Sequence, residues 1–190
     1  MLKTCRLPSV RRRLALAALT LTLTGLALLR AADPPAGDKP AALEVRPGDH
    51  ISIIGNTLAD RLQHDGWLET YFQSRFPKDR LSFRDLGYSG DELTHRERVD
   101  GFGTPDEWLT KTRSDVVFAF FGYNESWSGD AGLPKFKKDL DDFVKHTLAQ
   151  KYNGKAPPRL VLFSPVGFEN HHDRNLPDGS DVNTRLEAYT

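Results

Sequence analysis

From residue 51 onward, short apolar runs alternate with longer segments whose apolar residues recur every three or four positions. Residues 51–55, ISIIG, carry the pattern of a short buried strand. Leu58, Leu62, Trp67, Leu68, Tyr71, Phe72 and Phe76 keep helical spacing, which predicts one amphipathic helix over 58–76 with Trp67, Tyr71 and Phe72 on its core face. Pro77-Lys78-Asp79 ends it, and residues 81–86 predict a second strand closing in Gly87 and Gly90. A short helix is predicted over 105–111, with Thr104 as its cap and Pro105 at the first helical position. The run DVVFAFFG, 115–122, is almost unbroken in its apolar character, as a strand buried on both faces requires. A helix is predicted from Pro134, with Phe136, Leu140, Phe143, Val144 and Leu148 inward and the charges of KKDLDDF in solvent. RLVLFSP, 159–165, reads as another central strand, and a last helix begins at Asp181.

Strands alternating with helices of this length predict an α/β fold, a three-layer, flavodoxin-like, doubly wound parallel sheet. Such sheets bind ligands beyond the carboxyl ends of their strands. The polar turns fall there: Gly55-Asn56-Thr57, DLGYSGD at 85–91 and FGYNES at 121–126.

Composition changes the picture at the amino terminus. Residues 1–13 hold Lys3, Arg6, Arg11, Arg12 and Arg13 without an acid, and residues 14–29 carry no charge. This predicts a secretory signal over 1–32, with an uncleaved membrane anchor as the alternative. A proline-rich linker follows over 33–48, and one domain over 49–190. The formal net charge of zero hides an asymmetry. Six of the 26 basic residues and none of the 26 acids precede residue 33, leaving 20 basic against 26 acidic residues, a charge of −6. A mildly acidic exported domain has no electrostatic case for nucleic acid. The single cysteine, Cys5, lies ahead of the apolar stretch, so the remainder forms no disulfide and no thiolate metal site.

In order, the three turns resemble the sequence blocks of the SGNH (GDSL-type) hydrolases, a superfamily of esterases and lipases. Gly55-Asn56-Thr57-Leu58 stands where that family has Gly-Asp-Ser-Leu. Asp85-Leu86-Gly87-Tyr88-Ser89-Gly90 stands for Asn-x-Gly-x-Ser-Gly, and Gly122-Tyr123-Asn124-Glu125 for Gly-x-Asn-Asp. The resemblance implies an exported ester hydrolase acting on acyl esters, such as those of carbohydrates, with no cofactor. It puts Thr57 at the nucleophile position, and the Gly90 N–H and the Asn124 amide in the oxyanion hole. Asn56, Ser89, Glu125 and Trp127 become candidate substrate contacts.

The departures are Thr57 for serine, Asn56 and Glu125 for aspartates, and a missing Asp-x-x-His block. The expectation is a domain lacking its C-terminal part, or one that has lost the base. The alternative function is a lapsed hydrolase that binds carbohydrate or another ligand. A flavodoxin-like nucleotide binder fits less well, because the first turn has no Gly-x-Gly-x-x-Gly cradle. Thr57 is also expected to cap the helix that follows. Two further readings attach to the EN-HHD segment: His172 as a catalytic base, and Glu169, His171, His172 and Asp173 as metal ligands, both weaker than a solvated loop. His64 and His95 read as surface helix residues, and His50 and His146 as unpartnered. Trp127 either lines a pocket or stacks on a sugar, or else covers the core.

Overall fold

The computed structural model describes residues 42–190 other than Val99, and residues from Leu43 onward form one compact unit. The expected signal or anchor and most of the linker lie outside the described residues. Among the described residues, no helix is long and apolar enough to cross a membrane.

Four parallel strands form one sheet in the order β2-β1-β3-β4: β1 (His50–Gly55), β2 (Ser82–Asp85), β3 (Val116–Phe120) and β4 (Arg159–Phe163). Parallel strands need crossovers, and the helices supply them. They are α1 (Thr57–Asp65), α2 (Trp67–Arg75), α3 (Pro105–Lys111), α4 (Gly129–Ala149) and α5 (Ser180–Ala188). β3 is buried along its whole length, so its side chains divide by pleat rather than by polarity. Val116, Phe118 and Phe120 join Ile51, Ile53 and Ala59 beneath Leu58, Leu62 and Phe72. Val117, Ala119 and Phe121 join Ile54, Leu109, Phe136 and Tyr189 on the other face. The expected doubly wound α/β fold is therefore present.

Polar groups close the amino ends of the strands. Ser52, fully buried in β1, shares its hydroxyl with Ser114 (2.6 Å) and Thr112 (3.0 Å). Arg159 at the start of β4 grips the buried Asp49 carboxylate with both terminal nitrogens, at 2.5 and 2.9 Å.

Three details differ from the pattern-based expectation. The segment 58–76 is two helices, because Gly66 takes a left-handed conformation (φ 63°) that ends α1 and turns the chain. As a consequence Trp67 is 75% exposed and Tyr71 66%, while Phe72 alone of that trio packs on the core, against Phe118 and Phe83. The fourth helix begins at Gly129, five residues before Pro134, which sits inside it. Gly132 permits this early turn, since a Cβ there would lie 2.3 Å from that of Ser128 and 2.7 Å from the Tyr189 hydroxyl. The KKDLDDF face is solvated, with Lys138 paired to Asp142 and Lys135 and Lys145 to Asp139 and Asp141.

The register sets Gly55, Phe120 and Phe163 in one row, and Tyr88 N–H donates to Gly55 O at 2.9 Å, extending the row toward β2. Gly55 has φ +132°, and a Cβ on it would stand 2.2 Å from Phe120 O. Gly55→Ala is therefore expected to destabilise the domain by about 3 kcal/mol or more, through strain and steric overlap with backbone. A fall in thermal midpoint of roughly 10 °C, read by circular dichroism, checks it.

Candidate active site

The strand order places a topological switch point between β1 and β3, where the chain winds toward β2 on one side and β4 on the other. Crevices form at such points. Thr57 follows β1 there, flanked by the turn carrying Gly90 after β2 and the turn carrying Asn124 after β3.

Thr57 is not the cap of α1. That role belongs to the buried Asn56, whose Oδ1 accepts Leu58 N–H at 3.2 Å while its own N–H donates to Phe120 O at 3.1 Å. Both residues are competent caps, and the one fixed by the neighbouring strand takes the role. Thr57 becomes the first helical residue, exposed and free of capping duty. Its position at a helix N-terminus favours negative charge beside it.

A cavity of about 340 Å³ opens at Thr57. Its walls come from Asn56, Thr57, Leu58 and Arg61 after β1, from Phe120, Phe121 and Tyr123 at the end of β3, and from residues 163–166 after β4. Those walls are mostly apolar and contain neither a carboxylate nor a histidine. Gly90 and Asn124 stand outside them, on the flanks of Thr57 set by the strand order.

Carboxylates organise the flanks. Asp60 Oδ2 accepts the Ser89 hydroxyl at 2.6 Å, and that bond holds the Asp60 carboxyl below its ordinary pKa. Ser89 is thereby anchored to α1, one residue before Gly90 (φ +96°). Gly87 lets this turn lie close, since a Cβ would meet Ala59 Cβ and Asp60 N at 2.7 Å. Glu125 uses both oxygens on backbone, accepting Gly122 N–H at 2.8 Å and Leu93 N–H at 2.9 Å. It ties the third turn to the segment after the second, so its contacts are with backbone of this chain. Arg96 adds charge beside this brace, nearly buried, 3.8 Å from Asp91 and with Cζ 4.5 Å from the Phe121 ring centroid.

The histidines lie elsewhere. His171 is exposed, 3.8 Å from Glu169, and neither it nor His172 lines the cavity. His146 has a partner after all, with Nε2 2.7 Å from Asp106 Oδ2. His95 belongs to a loop rather than a helix, beside Glu97. Trp127 is 62% exposed and does not cover the core; it meets Tyr123 edge to face at 6.3 Å. Sequence reasoning missed Arg61, although it stands four residues past Thr57 and hence on the same helical face. It also missed Arg185, for which no local signal exists.

The fold has solved counterparts. Acetylxylan esterase Axe2 from Geobacillus stearothermophilus, in a catalytic mutant, superimposes with TM-score 0.55 at 15% identity over 77% of this chain and 70% of that one. The likeness is one of fold, a parallel sheet covered by helices. A second Axe2 variant gives 0.53 at 14% identity over 77% and 72%. A gut microbial diltiazem-metabolizing enzyme gives 0.54 at 16% identity, and the chain spans 34% of its length. The sequence matches no protein-family model and no curated protein.

One ionisable group at the second turn is badly placed for charge. Burial raises Asp85 to a pKa of about 6; Gly87 N–H bonding opposes this, and the Glu69 and Asp60 charges add to it. Asp85 Oδ2 and Glu69 Oε2 are both buried without a hydrogen-bond partner. The folded domain holds this proton to about pH 6, the unfolded chain only to its ordinary 3.8, so stability falls as pH rises through that window. Asp85→Asn keeps the acceptor for Gly87 and removes the charge. It is expected to stabilise the domain at pH 7.5 by about 1 kcal/mol, discounted for partial exposure, and to flatten the stability profile between pH 4 and about 6. Urea unfolding across that range measures both effects.

Proposed function

We propose that the protein is an exported ester hydrolase in which Thr57 attacks the carbonyl carbon of an acyl ester whose acyl part lies in the apolar cavity. The observation that carries this reading is the Thr57 hydroxyl, exposed at a helix N-terminus at the switch point and lining a cavity of about 340 Å³. Attack forms the Oγ1–carbon bond as the hydroxyl proton passes to a base outside the walls. Collapse expels the alcohol, which takes up a proton, and water then releases the acid from acyl-Thr57. During attack the carbonyl π pair becomes negative charge on oxygen that preorganised donors must meet. The Thr57 N–H, the Gly90 N–H and the Asn124 amide are the assigned donors, each from a different strand end. The fold shared with acetylxylan esterase Axe2 supports the reaction class, and an acetylated saccharide is the substrate class we favour. Export rests on the basic, then apolar, residues 1–29.

The cavity walls favour a second reading as well. A threonine hydroxyl attacks well only when a base takes its proton, and the walls offer neither histidine nor carboxylate. A pocket of this kind that binds its ligand without turnover is the alternative.

Hydrolysis of 4-nitrophenyl acetate and butyrate by the full chain tests the leading reading. Thr57→Ala is expected to lower kcat/KM at least about a hundredfold, and Thr57→Ser to match or exceed the parent because it sheds the methyl that crowds attack. Asn56 retains the cap in both variants, so folding is preserved. Equal rates for the parent and Thr57→Ala would remove Thr57 from the reaction.

A further inference from the structure

Beside the cavity mouth stands a group of side chains that the acyl pocket does not use. Tyr123 lines the cavity, and its ring meets the edge of Trp127. Trp127 leaves most of its surface in solvent. Arg185, on α5, lays its guanidinium over the Trp127 ring, Cζ 4.9 Å from the centroid. The Arg185 Nε is buried with no hydrogen-bond partner. The end of α5 is fixed close by: Tyr189 O and Pro165 Cγ would both touch a Cβ on Gly122, at 2.9 and 3.1 Å. Pro165 itself is a cavity wall. Arg61 contributes a second guanidinium to the walls, which hold no acid.

We propose that this group is the alcohol-side subsite: Trp127 stacks a ring, the perpendicular Tyr123 ring borders it, and Arg185 takes a carboxylate carried on that ring. The ligand class is an acylated uronoside, a pyranose ring alcohol bearing a carboxylate. Two physical arguments lead there. An exposed indole face beside a crevice gains from covering by a flat or ring-shaped apolar surface, and sugar rings present one. A guanidinium already held over an aromatic ring has lost much of its rotational freedom. It therefore loses less on forming a forked bond to a carboxylate, the geometry that its planar donors match. With Nε buried, the fork uses the two terminal nitrogens of the guanidinium. A neutral sugar uses the ring and leaves the guanidinium unsatisfied; a simple alkyl alcohol uses neither. The assignment of this face to the alcohol side rests on the ester-hydrolase reading, whereas recognition of the ring does not.

Binding is tested first, with no turnover required. Methyl glucuronoside and methyl glucoside are titrated into the full chain by calorimetry and by tryptophan fluorescence. The uronoside is expected to bind about tenfold more tightly, and Arg185→Gln to bring the two to parity. Trp127→Ala is expected to weaken both by about tenfold. Trp127→Phe keeps a stacking ring, so it retains binding and loses the fluorescence response. Equal affinity for the two sugars, insensitivity to Arg185→Gln, or no binding of either overturns the proposal. Hydrolysis separates it from the esterase reading. For acetylated methyl glucuronoside against acetylated methyl glucoside, the kcat/KM ratio is expected to fall from about ten to about one in Arg185→Gln. If ethyl acetate is hydrolysed but that ratio is already one in the parent, the platform fails and the esterase stands. If no ester is hydrolysed yet uronoside binding depends on Arg185, the esterase fails and the platform stands.

Discussion

The site depends on how closely two backbones approach at the top of the sheet. Asn56 N–H reaches Phe120 O across the β1–β3 pair, and Gly55 makes room by having no side chain where Phe120 O stands. That contact fixes where β1 stops and α1 starts. It buries Asn56, gives it the cap, and pushes Thr57 to the first helical position with its hydroxyl unused by the fold. A residue larger than glycine at 55 would part the strands at the level where three polar turns must meet. An exposed hydroxyl at a helix start thus follows from a steric constraint one strand away.

Around this point the chain spends its charges on its own backbone. Glu125 satisfies two N–H groups from turns that are far apart in sequence, and Asp60 holds Ser89. A carboxylate accepting backbone N–H groups is a strong tie, because each bond is charge-assisted and buried donors would otherwise stay unpaired. These ties hold loops that have few apolar contacts of their own. Asn56 supplies the acceptor that a cap needs, and Glu125 is long enough to bridge to Leu93. Neither residue puts an acid in the cavity walls.

Much of the fold was legible because the buried strands spell themselves out. A run such as VVFAF is solvent-free on both faces, which only a covered parallel sheet provides. The three turns were legible because glycine and small polar residues interrupt those runs at carboxyl ends. What failed was finer. Trp67 and Tyr71 keep helical spacing with Phe72, so periodicity counted them as core, yet the left-handed Gly66 rotates the helix axis and leaves both outside. The cap was assigned to Thr57 because threonine and asparagine are both good caps, and only the strand contact of Asn56 decides between them. The start of α4 was hidden by Gly129 and Gly132, which read as loop until Tyr189 is seen packing against the second of them. Arg185 could not be read at all, since its relation to Trp127 exists only once α5 folds back over the third turn.

The electrostatics of the cavity then constrain its chemistry in one direction. The domain as a whole is acidic, so an anionic ligand gains nothing from its long-range field. Attraction has to be local, within about a Debye length of 8–10 Å at ordinary salt. Within the walls the charge is of one sign, from the N-terminus of α1 and the Arg61 guanidinium, while the Asp60 and Glu125 carboxylates stand just outside, bound to Ser89 and to backbone. The apolar walls strengthen interactions made inside the cavity by excluding water. The same features would stabilise an oxyanion at Thr57 but do not themselves accept the hydroxyl proton. Charge stabilisation and proton removal are therefore separable in this protein. On the ester-hydrolase reading, the first would rest on the helix start that the strand contact at Gly55 fixes, and the second on a group outside these walls.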